Sequence, residues 1–201
     1  EVADRISAGE LTWAMFGGTH PKPAGNAIAA ELIGKLLNGA WDKNKAKDKS
    51  PHPMPARLVD PGSYCQGNFL SPEQFSNDSW SWVIPDWKKI AGNFRNTFAG
   101  KKLLCSDVPG KETAVRFKGT ALGAYVLAGP DAGALEVSVD DGPWTAHDLY
   151  HRYSRGLHYP RTVMLLTDLE RKEHTVRLRL SKKSNSSSKG TSARILQFTV
   201  N

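Results

Sequence analysis

Cysteine is scarce in this chain: Cys65 and Cys105 are the only two in 201 residues. They form no Cys-x-x-Cys pair, and two thiols so far apart exclude a cysteine-based zinc site or a disulfide framework. A single bridge stays open. It would close a loop of about forty residues and contribute roughly 3 to 4 kcal/mol in an exported protein; two buried free thiols fit the sequence as well. Long apolar runs are also absent, and none approaches the ~18 residues of a membrane-spanning helix. The first residue is Glu1 and not methionine, and Val2, Ile6 and Gly9 at helical spacing lead to the expectation that residues 1–10 are part of a helix and not a signal peptide. Concentrated charge is missing too. The formal charge is +7, yet Lys and Arg outnumber Asp and Glu by only 8 to 7 before residue 61 and by 19 to 13 after it. The aromatics do not alternate with the basic residues as a base-stacking platform would, so nucleic acid is not an expected partner. A basic, solvated surface is the expectation, and nothing implies a cofactor.

What is present begins with Thr19-His20-Pro21-Lys22-Pro23-Ala24-Gly25-Asn26. Pro21 and Pro23 fix their own φ and push the preceding residues out of the helical region, so His20 and Lys22 are expected to be extended, with Pro23 in the first turn of a helix. Ala24, Ile28, Leu32 and Leu36, with Ala29, Ile33 and Leu37 beside them, make one apolar stripe suited to packing on a sheet or another helix. Asn38-Gly39 reads as its C-terminal stop.

At these residues the chain resembles the last block of the SGNH (GDSL-like) hydrolases, where a short loop carrying a His-Pro pair leads into the C-terminal helix of an α/β fold. The resemblance implies that His20 is the general base that takes a proton from a serine. The family's aspartate three residues before the histidine is Gly17 here. Its Gly-Asp-Ser block and the Gly and Asn of its oxyanion hole have no counterpart in these residues. The two facts together lead to the expectation that the chain is a C-terminal fragment beginning inside the penultimate helix of a longer protein; the alternative is a small helical cap with an ordinary loop histidine.

From Asp42 to Asp60 alternating lysines give way to Pro51, Pro53 and Pro55, which reads as a stiff, solvated linker. From about residue 100 the period switches to two, with turn signals at short intervals. Strands are expected at 101–106, 113–119, 121–128, 134–140, 162–167, 173–181 and 193–200. Leu135-Val137-Val139 and Val176-Leu178-Leu180 alternate most clearly, leaving Glu136, Ser138, Arg177 and Arg179 to face water. Asp140-Asp141-Gly142 reads as a tight turn, and Ser184 to Gly190 as a mobile polar hairpin tip. Phe117 to Gly119, Gly129 to Gly133 and Val139 to Gly142 are similar to the β-sandwich appended to the hydrolase domain in some bacterial SGNH-type proteins. The expected fold is therefore mainly β: a β-sandwich or jelly roll over 61–201, a linker over 42–60, and a helical remnant of an α/β SGNH domain over 1–41.

Several residue groups are candidates for chemistry. Trp144, His147, Asp148, Tyr150, His151 and Arg152 lie in a polar, aromatic connection between strands that also carries Arg155 and His158. Such a loop suits substrate contacts, with the C–H face of a sugar on an aromatic ring and its hydroxyls on neighbouring charged groups. His147 and His151 are four apart but no carboxylate follows at a metalloenzyme spacing, so no metal site is expected. Trp80, Trp82 and Trp87 are clustered as a sugar platform would be; for Trp80 and Trp82, on one side of a strand, packing in the core or at the junction of the two regions is preferred. Asp131 is read as a turn aspartate bonded to its own backbone, calcium ligation being the alternative. The overall expectation is the C-terminal portion of a secreted or periplasmic SGNH-type serine esterase acting on acylated, by first choice acetylated, carbohydrate, with the N-terminal part of the same protein as its partner. The rival is a non-catalytic carbohydrate-binding or structural β-sandwich module.

Overall fold

The computed structural model describes residues 1–43, 56–57, 60 and 62–201. Most of the linker expected over 42–60 lies outside them. The chain divides into two compact units, Glu1–Arg57 and Leu58–Asn201.

The first unit is helical: α1 (Val2–Ser7), α2 (Trp13–Phe16) and α3 (Pro23–Lys43). Thr12 caps α2 by accepting the Met15 N–H at 3.1 Å, one of the donors that a helix start leaves without a partner. Gly17 ends it at φ +103°, donating to the Trp13 carbonyl. α3 begins at Pro23 as expected, a position where a missing N–H costs nothing. It does not stop at Asn38-Gly39. Gly39 keeps a negative φ and the helix runs on to Lys43, carried past the roughly 1 kcal/mol cost of a helical glycine by good helix formers on either side. α1 is joined to α3 by surface ion pairs, Arg5 to Glu31 at 2.8 Å and Lys35 to Glu1 at 3.1 Å.

The second unit is a β-sandwich. Its strands are β1 (Asn68–Leu70), β2 (Ser81–Val83), β3 (Leu103–Ser106), β4 (Glu112–Gly119), β5 (Leu122–Ala128), β6 (Ala134–Val139), β7 (Thr145–Asp148), β8 (Tyr159–Leu166), β9 (Lys172–Leu180) and β10 (Ala193–Val200). One sheet runs β2-β3-β10-β5-β8, with β1 on the second half of the β10 edge that β3 occupies at its first half. The other runs β4-β9-β6-β7, and every pairing is antiparallel. Leu104, Leu122, Ala124, Val126, Ile195 and Phe198 from the first sheet meet Val115, Phe117, Leu135, Val137, Val176, Leu178 and Leu180 from the second. Each large aliphatic or aromatic side chain so buried contributes roughly 1.5 to 3 kcal/mol. A smaller cluster of Phe98, Leu103 and Leu127, with Trp87 against it, lies on the opposite side of the first sheet.

Trp80 is fully buried and donates its indole N–H to the Lys111 carbonyl at 3.0 Å, and Trp82 packs against the same core, so both are structural. Asp140 and Asp141, at φ +47° and +60°, make the tight turn between β6 and β7, closed by the Gly142 N–H on the Val139 carbonyl. Ser184–Gly190 is not a hairpin tip. It joins β9 in one sheet to β10 in the other, and Ser188 Oγ ties it to the Ala132 carbonyl at 2.7 Å.

Candidate functional site

His20 sits between α2 and α3 on the turn that the prolines impose. It is exposed, and among the described residues its imidazole makes no hydrogen bond. The position where a carboxylate would orient it, Gly17, has a left-handed φ, and a Cβ there would run into the Lys22 backbone nitrogen. No side chain of any kind fits that backbone. Gly25 is constrained in another way: a Cβ would meet the Phe16 carbonyl that accepts the Lys22 N–H. Two glycines thus let the end of α2 press against the start of α3, presenting His20 at a rigid corner. Further along α3, Ile33, Leu36, Leu37 and Trp41 are exposed, Leu36 by 73%. The apolar stripe read from the sequence exists, and within the helical unit its C-terminal half is exposed.

In the sandwich, the register sorts the predicted contacts by face. Ala146 pairs with Glu136 and Asp148 with Ala134, so Trp144, Ala146 and Asp148 share the outer face of the four-stranded sheet. His147 lies opposite the core residue Leu135 and points the other way. It contacts Thr145 Oγ1 at 3.1 Å, and burial lowers its pKa. The Trp144 ring carries the Arg179 guanidinium 3.9 Å from its centroid and that of Arg177 at 5.2 Å. Arg179 Nε donates to Glu136 Oε2 at 2.7 Å, and this bond holds the Glu136 carboxyl below its usual range. Asp148 accepts from the Tyr150 N–H at 2.8 Å and from Asn185 Nδ2 at 2.6 Å.

Tyr150, His151 and Arg152 form a separate cluster beyond β7. Tyr150 is half-buried against the core, and its carbonyl accepts from Arg161 at 3.2 Å. His151 caps the 3-10 turn Arg152–Arg155, with Nδ1 accepting the Tyr153 N–H, and its ring stacks on Tyr159 at 4.6 Å and 14°. Arg152 lies over the half-exposed ring of Tyr153 at 4.8 Å. His158, although in the same polar run, is wholly buried against Trp87. Its Nε2 meets the Ala91 carbonyl at 3.1 Å and its Nδ1 has no partner among the described residues.

The structure therefore sets Trp144 and Asp148 on one face of the sheet, groups Tyr150, His151 and Arg152 elsewhere, and turns His147 away from that face. Arg179, Glu136 and Asn185 complete the outer-face arrangement. The alternation marked the first two as outward-facing, but nothing in the order of residues marked what they would meet there. Asp131 sits in the Gly129–Gly133 turn, where its own backbone hydrogen bond helps hold its carboxyl below the ordinary value, and it is further held by Arg194 at 2.8 and 2.7 Å. Among the described residues no group of His, Cys, Asp and Glu is arranged to hold a metal, and no helix is long and apolar enough to cross a membrane. Cys65 and Cys105 are free thiols; burial pushes the latter up to about 11.

No protein-family model and no curated protein matches the chain. Among solved structures it is similar to a two-domain esterase active on acetylated mannans, at 15% identity and a TM-score of 0.67 over 98% of this chain and 52% of that one. A structure of such an esterase co-crystallised with mannopentaose aligns over the same shares at 15% identity and a TM-score of 0.63. This chain spans about half the length of those chains. At that identity the likeness concerns the fold.

Proposed function

We propose that this chain is the C-terminal portion of an exported SGNH-type serine esterase that removes acyl groups, by first choice acetyl, from carbohydrate. The observation that carries this reading is one of layout. A His-Pro turn and helix followed by a β-sandwich align over 98% of the chain with half of a two-domain esterase active on acetylated mannans. His20 is the general base of the reading. Its exposed imidazole, free of hydrogen bonds to the described residues, is available to a serine supplied by residues outside this chain. The exposed Ile33, Leu36 and Leu37 give the N-terminal part of the same protein an apolar face to cover. With Gly17 in the aspartate's place, a backbone carbonyl or another side chain of that part has to orient the ring.

The test is hydrolysis of acetylated oligosaccharides by the full-length gene product. His20→Ala is expected to lower kcat by about a thousandfold or more. A full-length product that carries no upstream Gly-Asp-Ser block, or whose activity survives His20→Ala, overturns the reading.

A second reading is a non-catalytic carbohydrate-binding module, favoured by Trp144, Asp148 and Asn185 sharing the sandwich surface. It predicts polysaccharide binding by this chain, weakened by Trp144→Ala or Tyr150→Ala. A purely structural sandwich binds no sugar at all.

A further inference from the structure

Resting on the carbohydrate part of the reading above, we infer that the outer face of the four-stranded sheet is a groove for a neutral oligosaccharide, with Arg179, Glu136, Asp148 and Asn185 as its hydroxyl-reading groups. Here β9, β6, β7 and the chain after β9 enclose an open depression of about 850 Å³, within the size range of small-ligand sites. Its floor is Ala134 and Ala146. Alanines at those two positions keep the depression open, where larger side chains would fill it.

The polar groups are fixed before any ligand arrives. Arg179 is held between the face of Trp144 and the Glu136 carboxylate, and Asp148 between the Tyr150 N–H and Asn185. Each carboxylate thus stands beside a donor, guanidinium in one case and amide in the other, and each keeps lone pairs to spare. A sugar hydroxyl both donates and accepts, so adjacent hydroxyls match such donor–acceptor pairs. Side chains already locked by their neighbours lose little entropy on binding.

Charge selects a neutral ligand. Arg179 is a cation lining the depression, and besides Glu136 it has Glu112 at 3.5 Å. Arg177 beside it is shared between Glu112 and Asp141. The guanidinium charge is already answered by carboxylates, whereas an acidic sugar needs an unanswered cation. Lys182 and Lys183 lie on the exposed rim, where screening makes them weak.

Calorimetric titration of the 201-residue chain with short neutral xylo-, gluco- and manno-oligosaccharides, and with an oligogalacturonate for comparison, tests this. At least one neutral oligosaccharide is expected to bind, with little salt dependence. Ala146→Arg, which fills the floor, and Asp148→Ala are each expected to weaken it by about tenfold or more, with Tm as the check that the sandwich still folds. In a proton–nitrogen NMR spectrum of the indole groups, the Trp144 signal is expected to shift on titration and that of buried Trp80 to stay. The inference is overturned by no binding of any neutral oligosaccharide, by binding indifferent to both folded variants, or by tighter, steeply salt-dependent binding of the oligogalacturonate. These outcomes are separate from the esterase reading, whose readout is acetate release and its loss in His20→Ala.

Discussion

Arg194 on β10 and Asp131 in the Gly129–Gly133 turn meet through two parallel hydrogen bonds of 2.8 and 2.7 Å, with only 8% of the arginine side chain exposed. Burial works to raise the Asp131 carboxyl, and the hydrogen bonds and charge of Arg194 outweigh it, leaving it below its ordinary value. Removing one partner strands the other as a charge away from water. Asp131→Ala is therefore expected to destabilise the sandwich by about 3 to 5 kcal/mol, measured by urea unfolding. A double variant replacing both residues by apolar ones of similar size should recover much of that loss. A loss in the double variant equal to the sum of the two single-variant losses would show that the pair is not coupled.

His158 makes stability depend on pH. Burial lowers its pKa and the nearby Arg194 cation adds to this, while Asp131 and the Ala91 carbonyl oppose. In the unfolded chain the ring titrates near about 6.5. A depressed folded value means that the contribution is complete above that pH and is lost as pH falls below it toward the folded value. Urea midpoints measured from neutral pH downward are expected to fall more steeply in the parent than in His158→Phe. The substitution itself lowers stability by about 1 kcal/mol through loss of the Ala91 bond. His147, also lowered by burial, acts in the same direction, and His147→Gln serves as the comparison. Parallel profiles for the parent and His158→Phe would refute the assignment.

Restoring the aspartate of the hydrolase pattern should fail. Gly17 holds φ +103°, and any Cβ meets the Lys22 backbone nitrogen. Gly17→Asp is expected to loosen the α2–α3 corner, seen as faster proteolysis between residues 10 and 25, and, on the proposed esterase reading, to lower acetate release by the full-length protein. Higher activity in Gly17→Asp would mean that the corner adopts another backbone in the complete protein.

Trp80 separates packing from recognition. Fully buried and hydrogen-bonded to the Lys111 carbonyl, it is expected to cost about 3 to 5 kcal/mol when replaced by alanine. Any sugar affinity should stay unchanged in the fraction that remains folded, whereas Trp144→Ala is expected to do the reverse. Unfolding midpoints and titrations on the same two variants check this.

The sandwich was legible where one face of a strand is greasy and the other wet. Leu135-Val137 and Val176-Leu178-Leu180 announced both the strands and the side they bury. β7 was not legible, because Thr145–Asp148 is a short edge strand without an apolar alternation. Nor was the partition into sheets: β9 and β10 look like a hairpin, and only their separate pairings show that the chain crosses between layers after Leu180. Of the outer face, Trp144 and Asp148 were named as candidates by residue type. Arg179, Glu136 and Asn185 were missed because charged and amide residues at outward positions look the same whether they meet solvent or one another.

By itself the sequence determined what needs only neighbours along the chain. The paired prolines hold His20 ahead of a helix, Asp140-Asp141-Gly142 turns β6 into β7, and period-two hydrophobicity makes the core. The tertiary structure decided which side chains meet across distance: Asp131 with Arg194, Asp148 with Asn185, and Trp144 with Arg179. The reason is physical. Propensity and periodicity act within a few residues, whereas strand register and sheet membership follow from burying the whole apolar surface at once, and one register step turns every side chain to the other face.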